Sequence, residues 1–407
     1  MRPATFLRRP AGARHLFLQL AAAALLLAGC GGGGSAGPSS GGTGAAASSF
    51  AAGQISGFGS VIVNGVRYED SRATVLDDDG NPSSRDALKL GMSVEIQGGA
   101  KSDDGKGPRC DAREIRHGAE ILGPVSAIDA AARTLVVIGQ TVRVTDGTVI
   151  DDRLVGGFPG IVVGAVLEVH GRLDAATGVY TATRLSPRLV AEAIKIRGIV
   201  SSLDTAAKTF AIGAATISYA TVFPAPTALA NGARVKVRLE TTPVAGVWIA
   251  TRVHDGSRRP DDADEAELEG TITAFTSAAL FSVNGIPVDA SQATFKEGSS
   301  SAQLALGVRV EVKGSAVDGV VIATRISVEH EDAHENDEIE LHGAIASIDT
   351  AAKTFVLREV TVSYAGANVE YDEGSEALLA VGVKVEVKGA LAADGKTVNA
   401  ERISFGD

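Results

Sequence analysis

A nine-residue pattern that returns five times constrains this chain more than any other feature. "LGVRVEVKG" at Leu306–Gly314 reappears as "VGVKVEVKG" at Val381–Gly389. Looser copies are "LGMSVEIQG" from Leu90, "VGAVLEVHG" from Val163 and "NGARVKVRL" from Asn231. Their glycines stand at 91, 164, 232, 307 and 382, a spacing of 68 to 75 residues. A second marker keeps step with alanine at 112, 182, 250, 323 and 400: "CDAREI", "YTATRL", "WIATRV", "VIATRI" and "VNAERI". A third opens the later units, as in "LGPVSAID", "RGIVSSLD", "EGTITAFT" and "HGAIASID". Self-similarity at a fixed period means one structural unit built repeatedly.

The unit reads as β-structure. "VRVEVKG" alternates apolar and polar residues with period two, the mark of a half-buried strand. "FSVNGIPVD" at Phe281–Asp289 sets Asn-Gly between two such runs, a strong hairpin signal. No window of twelve residues in the repeats carries helical periodicity, although "SAQLALG" fits one short helical turn. Five or six short strands per unit follow. "DTAAKTF" occurs at Asp204–Phe210 and again at Asp349–Phe355, with "DAAARTL" from Asp129 and "TSAALF" from Thr276 in the same place. Because the lysine is not kept and no partner accompanies it, the motif reads as a hairpin corner begun by an Asp that caps backbone amides. Two residues before each marker alanine stand Cys110, Tyr180, Trp248, Val321 and Val398. All five suit an apolar slot, so this strand position should point inward, and Cys110 should be a buried, inert thiol. Past the alanine the alternation slips by one residue before Ile115, Leu185, Val253, Ile326 and Ile403, as a β-bulge would make it. Arg184, Arg252, Arg325 and Arg402 sit at the slip, and Glu95, Glu168, Glu311 and Glu386 on the neighbouring strand are their expected cross-strand partners.

The opening "G-x-I-x-x-I-D", the "G-x-x-V-E-V-K-G" strand and the closing "A-x-R-I" together resemble domain of unknown function family 5666. The resemblance covers residues 53–405, is best in the last two units and is loosest in the first, where "GQISGFGSVIVNG" compresses the opening corner. It implies small β-barrels similar to the oligonucleotide/oligosaccharide-binding (OB) fold, often carried in tandem by lipoproteins, and it brings no activity and no catalytic residues. The predicted fold is all-β, with five OB-like barrels of about 70 residues at 53–116, 117–190, 191–256, 266–329 and 338–407. An acidic linker at 257–265 and an acidic, His-containing linker at 330–337 separate the last three.

Ahead of the repeats, Arg8, Arg9 and Arg14 precede an apolar run at Leu16–Leu27 broken only by Gln19. That run is too short for a stable membrane span and has the proportions of a signal peptide's core. It closes on Leu27-Ala28-Gly29-Cys30, which resembles the lipobox of bacterial lipoproteins. The resemblance implies removal of residues 1–29 and acylation of Cys30, whose several acyl chains would make a durable anchor. Residues 30–52, rich in Gly, Ser and Ala, read as a tether, on the order of 25 Å in reach for twenty such residues. Gly31 in place of Asp implies export to the outer membrane, facing the periplasm, in a Gram-negative host.

Losing residues 1–29 removes four arginines and no acid, so 34 basic side chains face 49 acidic ones and the net charge becomes −15. Such a surface repels phosphate backbones, and with aromatics at 4% there is little for bases to stack on. Nucleic acid is therefore not the expected partner. With Cys110 the only cysteine besides Cys30, an intramolecular disulfide is not expected. The composition leaves three function classes. The leading one is a non-catalytic binding or scaffolding protein, contacting an envelope protein or polymer through repeated barrels and the membrane through its lipid. The second is divalent-metal binding by the charged linkers, with His330 and His334 as candidate ligands and no matching metal motif to support them. The third is an enzyme with a site formed between repeats. No serine elbow, P-loop or metalloprotease helix is present, and the remaining histidines (His117, His170, His254 and His342) fall mostly at unit edges. No cofactor is implied.

Overall fold

The computed structural model describes residues 47–103, 105, 107–188, 194–226, 229–329 and 338–406, which include no α-helix. Cys30, the signal segment, most of the tether, His330 and His334 lie outside the described residues.

Each repeat closes into a small barrel. In the fourth, the long first strand Ala263–Ser277 turns back into Leu280–Val283, and that strand into Ile286–Asp289. The third strand lies parallel to the last, Val320–Glu329. The last is antiparallel to Arg309–Val317, which closes against the first. Numbering strands within the unit, the circuit is 1-2-3-5-4-1. The other four repeats follow it. That is the five-stranded connectivity of an OB-like barrel. The short helical turn read in "SAQLALG" is a single 3₁₀ turn at Ser301–Gln303.

The corners form as their residues dictate. Asn284 and Gly285 both have positive φ, 49° and 85°, as a two-residue hairpin of the favoured twist requires. In "DTAAKTF" the Asp204 carboxylate accepts from the amides of Ala206 and Ala207, both at 2.9 Å, and Lys208 takes φ 54°. Asp349 and Lys353 repeat that geometry, and Asp129 with Arg133 does so in the second unit. A bulge falls after the marker alanine in all five units. The inward slot is also observed: Tyr180, Val321 and Val398 are fully buried, and Cys110 and Trp248 nearly so. Cys110 Sγ lies 3.4 Å from Gly99 O and 3.3 Å from Ser49 Oγ.

One pairing differs from the sequence reading. The bulge sets Arg184 opposite His170, Arg325 opposite Lys313 and Arg402 opposite Lys388, two residues away from the glutamates expected as partners. The arginines reach the other way, toward the segment between the third and fourth strands. Arg184 bonds Asp151 at 2.7 Å and Arg402 bonds Glu370 at 2.6 Å.

The barrels are not beads. Residues 45–407 form one compact body. Residues 49–52, read from sequence as tether, are a buried strand. Ser49–Gln54 pairs antiparallel with Ser93–Gly98 in its own barrel, while Ser49–Ala52 runs parallel to Glu265–Leu268 of the fourth repeat. The same strand's end, Gly57 and Phe58, runs parallel to Glu340 and Leu341 of the fifth. Repeats two and three share one continuous apolar core. The fourth takes Phe50 and Ala52 into its core, and the fifth takes Leu90 and Val149. The stretch 257–265 is correspondingly no solvated spacer, since Arg258 is largely buried and Ala263–Glu265 already belongs to a strand. The reason is one of scale: a 70-residue barrel without disulfides buries too little apolar surface to be very stable alone.

Candidate functional site

Among the described residues, polar side chains from different repeats meet in several places, Lys101 with the buried Glu267 at 2.8 Å being one, and three others are the candidate sites. At the first, a self-capped corner of repeat one presents acids to repeat three. Asp77 Oδ1 accepts from the amides of Asp79 and Asn81, at 2.9 and 2.8 Å, and this turns Asp78 and Asp79 outward. Lys195 meets Asp78 at 2.8 Å, and Lys236 and Arg238 meet Asp79 at 2.7 and 2.9 Å. Behind them the buried Glu120 accepts from Arg234 at 2.9 Å and Arg258 at 3.0 Å. Burial pushes the Glu120 carboxyl up, but Arg258, Arg234 and Arg197 outweigh it and hold it below the ordinary range. Every member is matched across a repeat boundary, so the network is a joint. Removing one partner would leave buried charge uncompensated.

At the second, ligand-capable atoms of Glu340, His342 and Glu386 lie within 4.8 Å of one another at the boundary of repeats one and five. His342 is on the opening strand of the fifth barrel, where the alternation "EIELH" puts it. These residues could hold a metal ion, yet they already hold cations. Arg67 contacts Glu340 and lies 3.3 Å from Glu386, Lys388 lies 3.6 Å from Glu340, and His342 Nε2 lies 2.5 Å from Glu340 Oε1. Burial raises the Glu340 carboxyl, but the His342 hydrogen bond together with Arg67 and Lys388 brings it down to about 2. A metal would have to displace two basic side chains.

The third is a cavity of about 1100 Å³ where repeats one, two, four and five meet. That is at or above the upper end of typical small-ligand pockets, about 300–1,000 Å³. Its apolar wall comes from Ile55 and Leu90 of repeat one, Val149 of repeat two, Val328 of repeat four, and Ile339 and Leu391 of repeat five. Among the described residues lining it there is no aromatic ring. Its polar wall is centred on repeat two. There Arg143, Thr181 and Arg172 stand directly opposite one another on three adjacent strands, Gln140–Arg143, Val179–Pro187 and Val166–Asp174. Arg143 donates to Thr181 Oγ1 at 3.0 Å and Arg172 to Gln54 Oε1 at 3.2 Å. Residues directly opposite on neighbouring strands share a face, with Cβ atoms about 5 Å apart. Arg143 and Arg172 thus stand on either side of Thr181 on one face.

Of the histidines, His117 and His170 lie near the first joint, with His117 Nε2 2.8 Å from Ser83 Oγ, and His254 is exposed on repeat three. They do not converge on the cavity. The sequence missed the cavity because four repeats build it. One signal was available: a row that in repeat two alone carries two arginines.

Five segments of the chain, 52–107, 123–186, 197–254, 269–327 and 342–404, match the family described as Domain of unknown function (DUF5666). The chain belongs to this family. The matched segments coincide with the five barrels, so a DUF5666 unit here is one OB-like circuit. No curated protein matches the chain. The functional reading therefore rests on this chain's own geometry.

Proposed function

We propose that this DUF5666 chain is a non-catalytic binding protein of the bacterial cell envelope, held on the periplasmic face of the outer membrane by an acylated Cys30. Its ligand seat is the cavity between repeats one, two, four and five. The observation that carries this reading is the cavity: four separate repeats contribute walls to one large space, apolar on one side and hydrogen-bonding on the other. That is the composition by which small-molecule sites hold and orient a ligand. The envelope assignment rests on the basic leader, the short apolar run and the lipobox ending at Cys30. The strongly acidic mature chain argues against nucleic acid as partner. The charged joints are matched within the chain and serve to hold the barrels together.

The test is a thermal-shift and calorimetric screen of amphiphiles, saccharides and short peptides against the wild-type chain and against Ser56→Trp, whose indole would occupy the cavity. A ligand that stabilises wild type and loses at least tenfold in affinity in Ser56→Trp is expected. If Ser56→Trp binds every hit as wild type does, or no class of probe binds, the cavity is not the seat. For the anchor, Cys30→Ala protein should leave the detergent phase on partitioning; partitioning like wild type would refute acylation at that residue.

A further inference from the structure

Just before the fourth strand every unit makes the same tip, ending on a glycine with positive φ: Leu90–Gly91, Val163–Gly164, Asn231–Gly232, Leu306–Gly307 and Val381–Gly382. In the first unit this tip is seated on the second. Thr183 Oγ1 donates to Gly91 O at 2.7 Å, and Arg184 Nη1 to Leu90 O at 3.1 Å. A Cβ on Gly91 would stand 2.5 Å from Thr183 O and 3.0 Å from a Val149 methyl, so the glycine lets the two repeats close on each other. Leu90, Thr183 and Arg184 are buried by the contact. A Thr-Arg pair just past the marker alanine is thus a receptor for an apolar-glycine tip.

We infer that a second copy of this chain docks through the same contact, with the tip of repeat two in one copy on the Thr-Arg pair of repeat three in the other. The contact uses no residue that lines the cavity.

On the receptor side, Thr251 and Arg252 of repeat three occupy the positions of Thr183 and Arg184, and both are exposed. Where no tip is seated, the hydroxyl turns back to its own barrel. Thr251 Oγ1 donates to Arg238 O at 3.2 Å, and Thr324 Oγ1 of repeat four likewise to Lys313 O at 3.1 Å. The segment between the third and fourth strands, which in repeat two brings Val149 to the tip, carries Phe223 in repeat three. Phe223 is 95% exposed, the most of any large apolar side chain among the described residues. It stands two residues past Thr221, whose hydroxyl donates to Ala250 O at 3.2 Å, which places this segment beside the pair. Repeat four has Thr294 in the place of Val149, and repeat five has Glu401 in the place of the threonine. Repeat three therefore offers the apolar receptor.

On the tip side, a Cβ at Gly164 would meet nothing within 4 Å. Val155, Val162 and Val163 are all exposed, and Leu154–Leu167 contains no charged residue. Single exposed apolar side chains are ordinary, whereas a cluster marks an interaction site. The tip of repeat five is also open, but it follows Asp372, Glu373 and Glu376. Because tip two and receptor three are both exposed, they do not meet within one chain. They differ from each other, so each copy has one tip to give and one receptor to fill.

Sedimentation velocity of the lipid-free chain starting at Gly31, which keeps the whole compact body, is the test. Wild type is expected to pass from monomer to dimer or longer species between about 1 and 200 μM. Val163→Lys, which brings a second cation to Arg252, and Arg252→Glu should each weaken association by about tenfold or more. Mixing the two variants should bring association back, since one keeps an intact receptor and the other an intact tip. Val381→Lys, on the tip of repeat five, should leave it unchanged. Melting temperatures serve as the folding control, and Phe223→Ser replaces Arg252→Glu should that variant fail to fold. A wild-type chain that stays monomeric throughout, or variants that associate as wild type does, would overturn the contact. So would a mixture no more associated than its parts, or a loss of association in Val381→Lys that Val163→Lys does not share.

Discussion

Single residues in this chain do structural work that their chemistry explains. Lys208, in the repeated corner, is exposed and left-handed at φ 54°. A side chain there costs roughly 1–2 kcal/mol, part of which glycine would lose again in unfolded-state entropy. Lys208→Gly should therefore stabilise the protein by about 0.5–1 kcal/mol. Asp204→Ala, which orphans two turn amides, should destabilise it by about 1 kcal/mol. Urea unfolding of the two variants checks both signs, and a destabilising glycine would mean that the lysine itself matters. Glu168 carries a second prediction. Burial raises its carboxyl, but His170, whose Nε2 lies 3.4 Å away, and the Arg188 charge outweigh burial and bring it to about 2. A carboxyl depressed in the native state contributes stability above its unfolded value, near 4.5, and loses that contribution as pH falls toward 2. The contribution is on the order of 2–3 kcal/mol. Glu168→Gln should flatten the acid limb of stability across that window; an unchanged limb would place the acid sensitivity elsewhere.

At the scale of strands, the first one is the keystone. Ser49–Phe58 belongs to the first barrel by antiparallel pairing and to the fourth and fifth by parallel pairing. Ala51 is fully buried in the middle of the first two of these pairings. Ala51→Pro would remove an amide and kink a central strand, a change worth about 3 kcal/mol or more elsewhere in regular structure. Hydrogen exchange should quicken at Glu265–Leu268 as well as at Ser93–Gly98. Acceleration confined to the first barrel would show that the parallel pairing contributes little. This strand also marks the limit of what the sequence disclosed. The strands, the Asp corners, the bulge after the alanine and the inward Cys110 slot came from local spacing, because alternation and turn chemistry are local, while the barrel itself came from the family resemblance. "SFAA" looked like tether because Ala and Ser carry no strand signal, and one of its two partner strands, Glu265–Leu268, lies more than two hundred residues away. The arginine partners were misassigned for a related reason. The bulge was legible, but its effect on cross-strand register needs both strands in place. The cavity lay furthest from reach, since its walls come from four repeats and only the paired arginines of repeat two set it apart.

For the whole molecule, the question is whether five barrels unfold as five units or as one. Separate barrels of about 70 residues would each melt with an enthalpy of roughly 50 kcal/mol, whereas a fused body of some 360 residues would approach roughly 250 kcal/mol. Three observations favour fusion. Repeats two and three share one core, repeats four and five each borrow apolar side chains from elsewhere, and Glu120 binds arginines of repeat three and the following joint. None of these contacts survives the melting of one barrel alone, so losing any unit exposes apolar surface and unpaired charge on its neighbours. Calorimetry should accordingly show one dominant transition whose van't Hoff enthalpy is several times that of a single barrel. Glu120→Gln supplies the contrast. It keeps the side chain's shape and removes the charge that Arg234 and Arg258 converge upon. Leaving buried cations unmatched costs about 3–5 kcal/mol, charged to the junction and not to any barrel's own core. The single transition should then broaden or split, with the third repeat melting first. Five resolved transitions in the wild-type chain, or a Glu120→Gln chain that melts like wild type, would mean the barrels are independent after all, and a cavity built from four of them could not hold its shape.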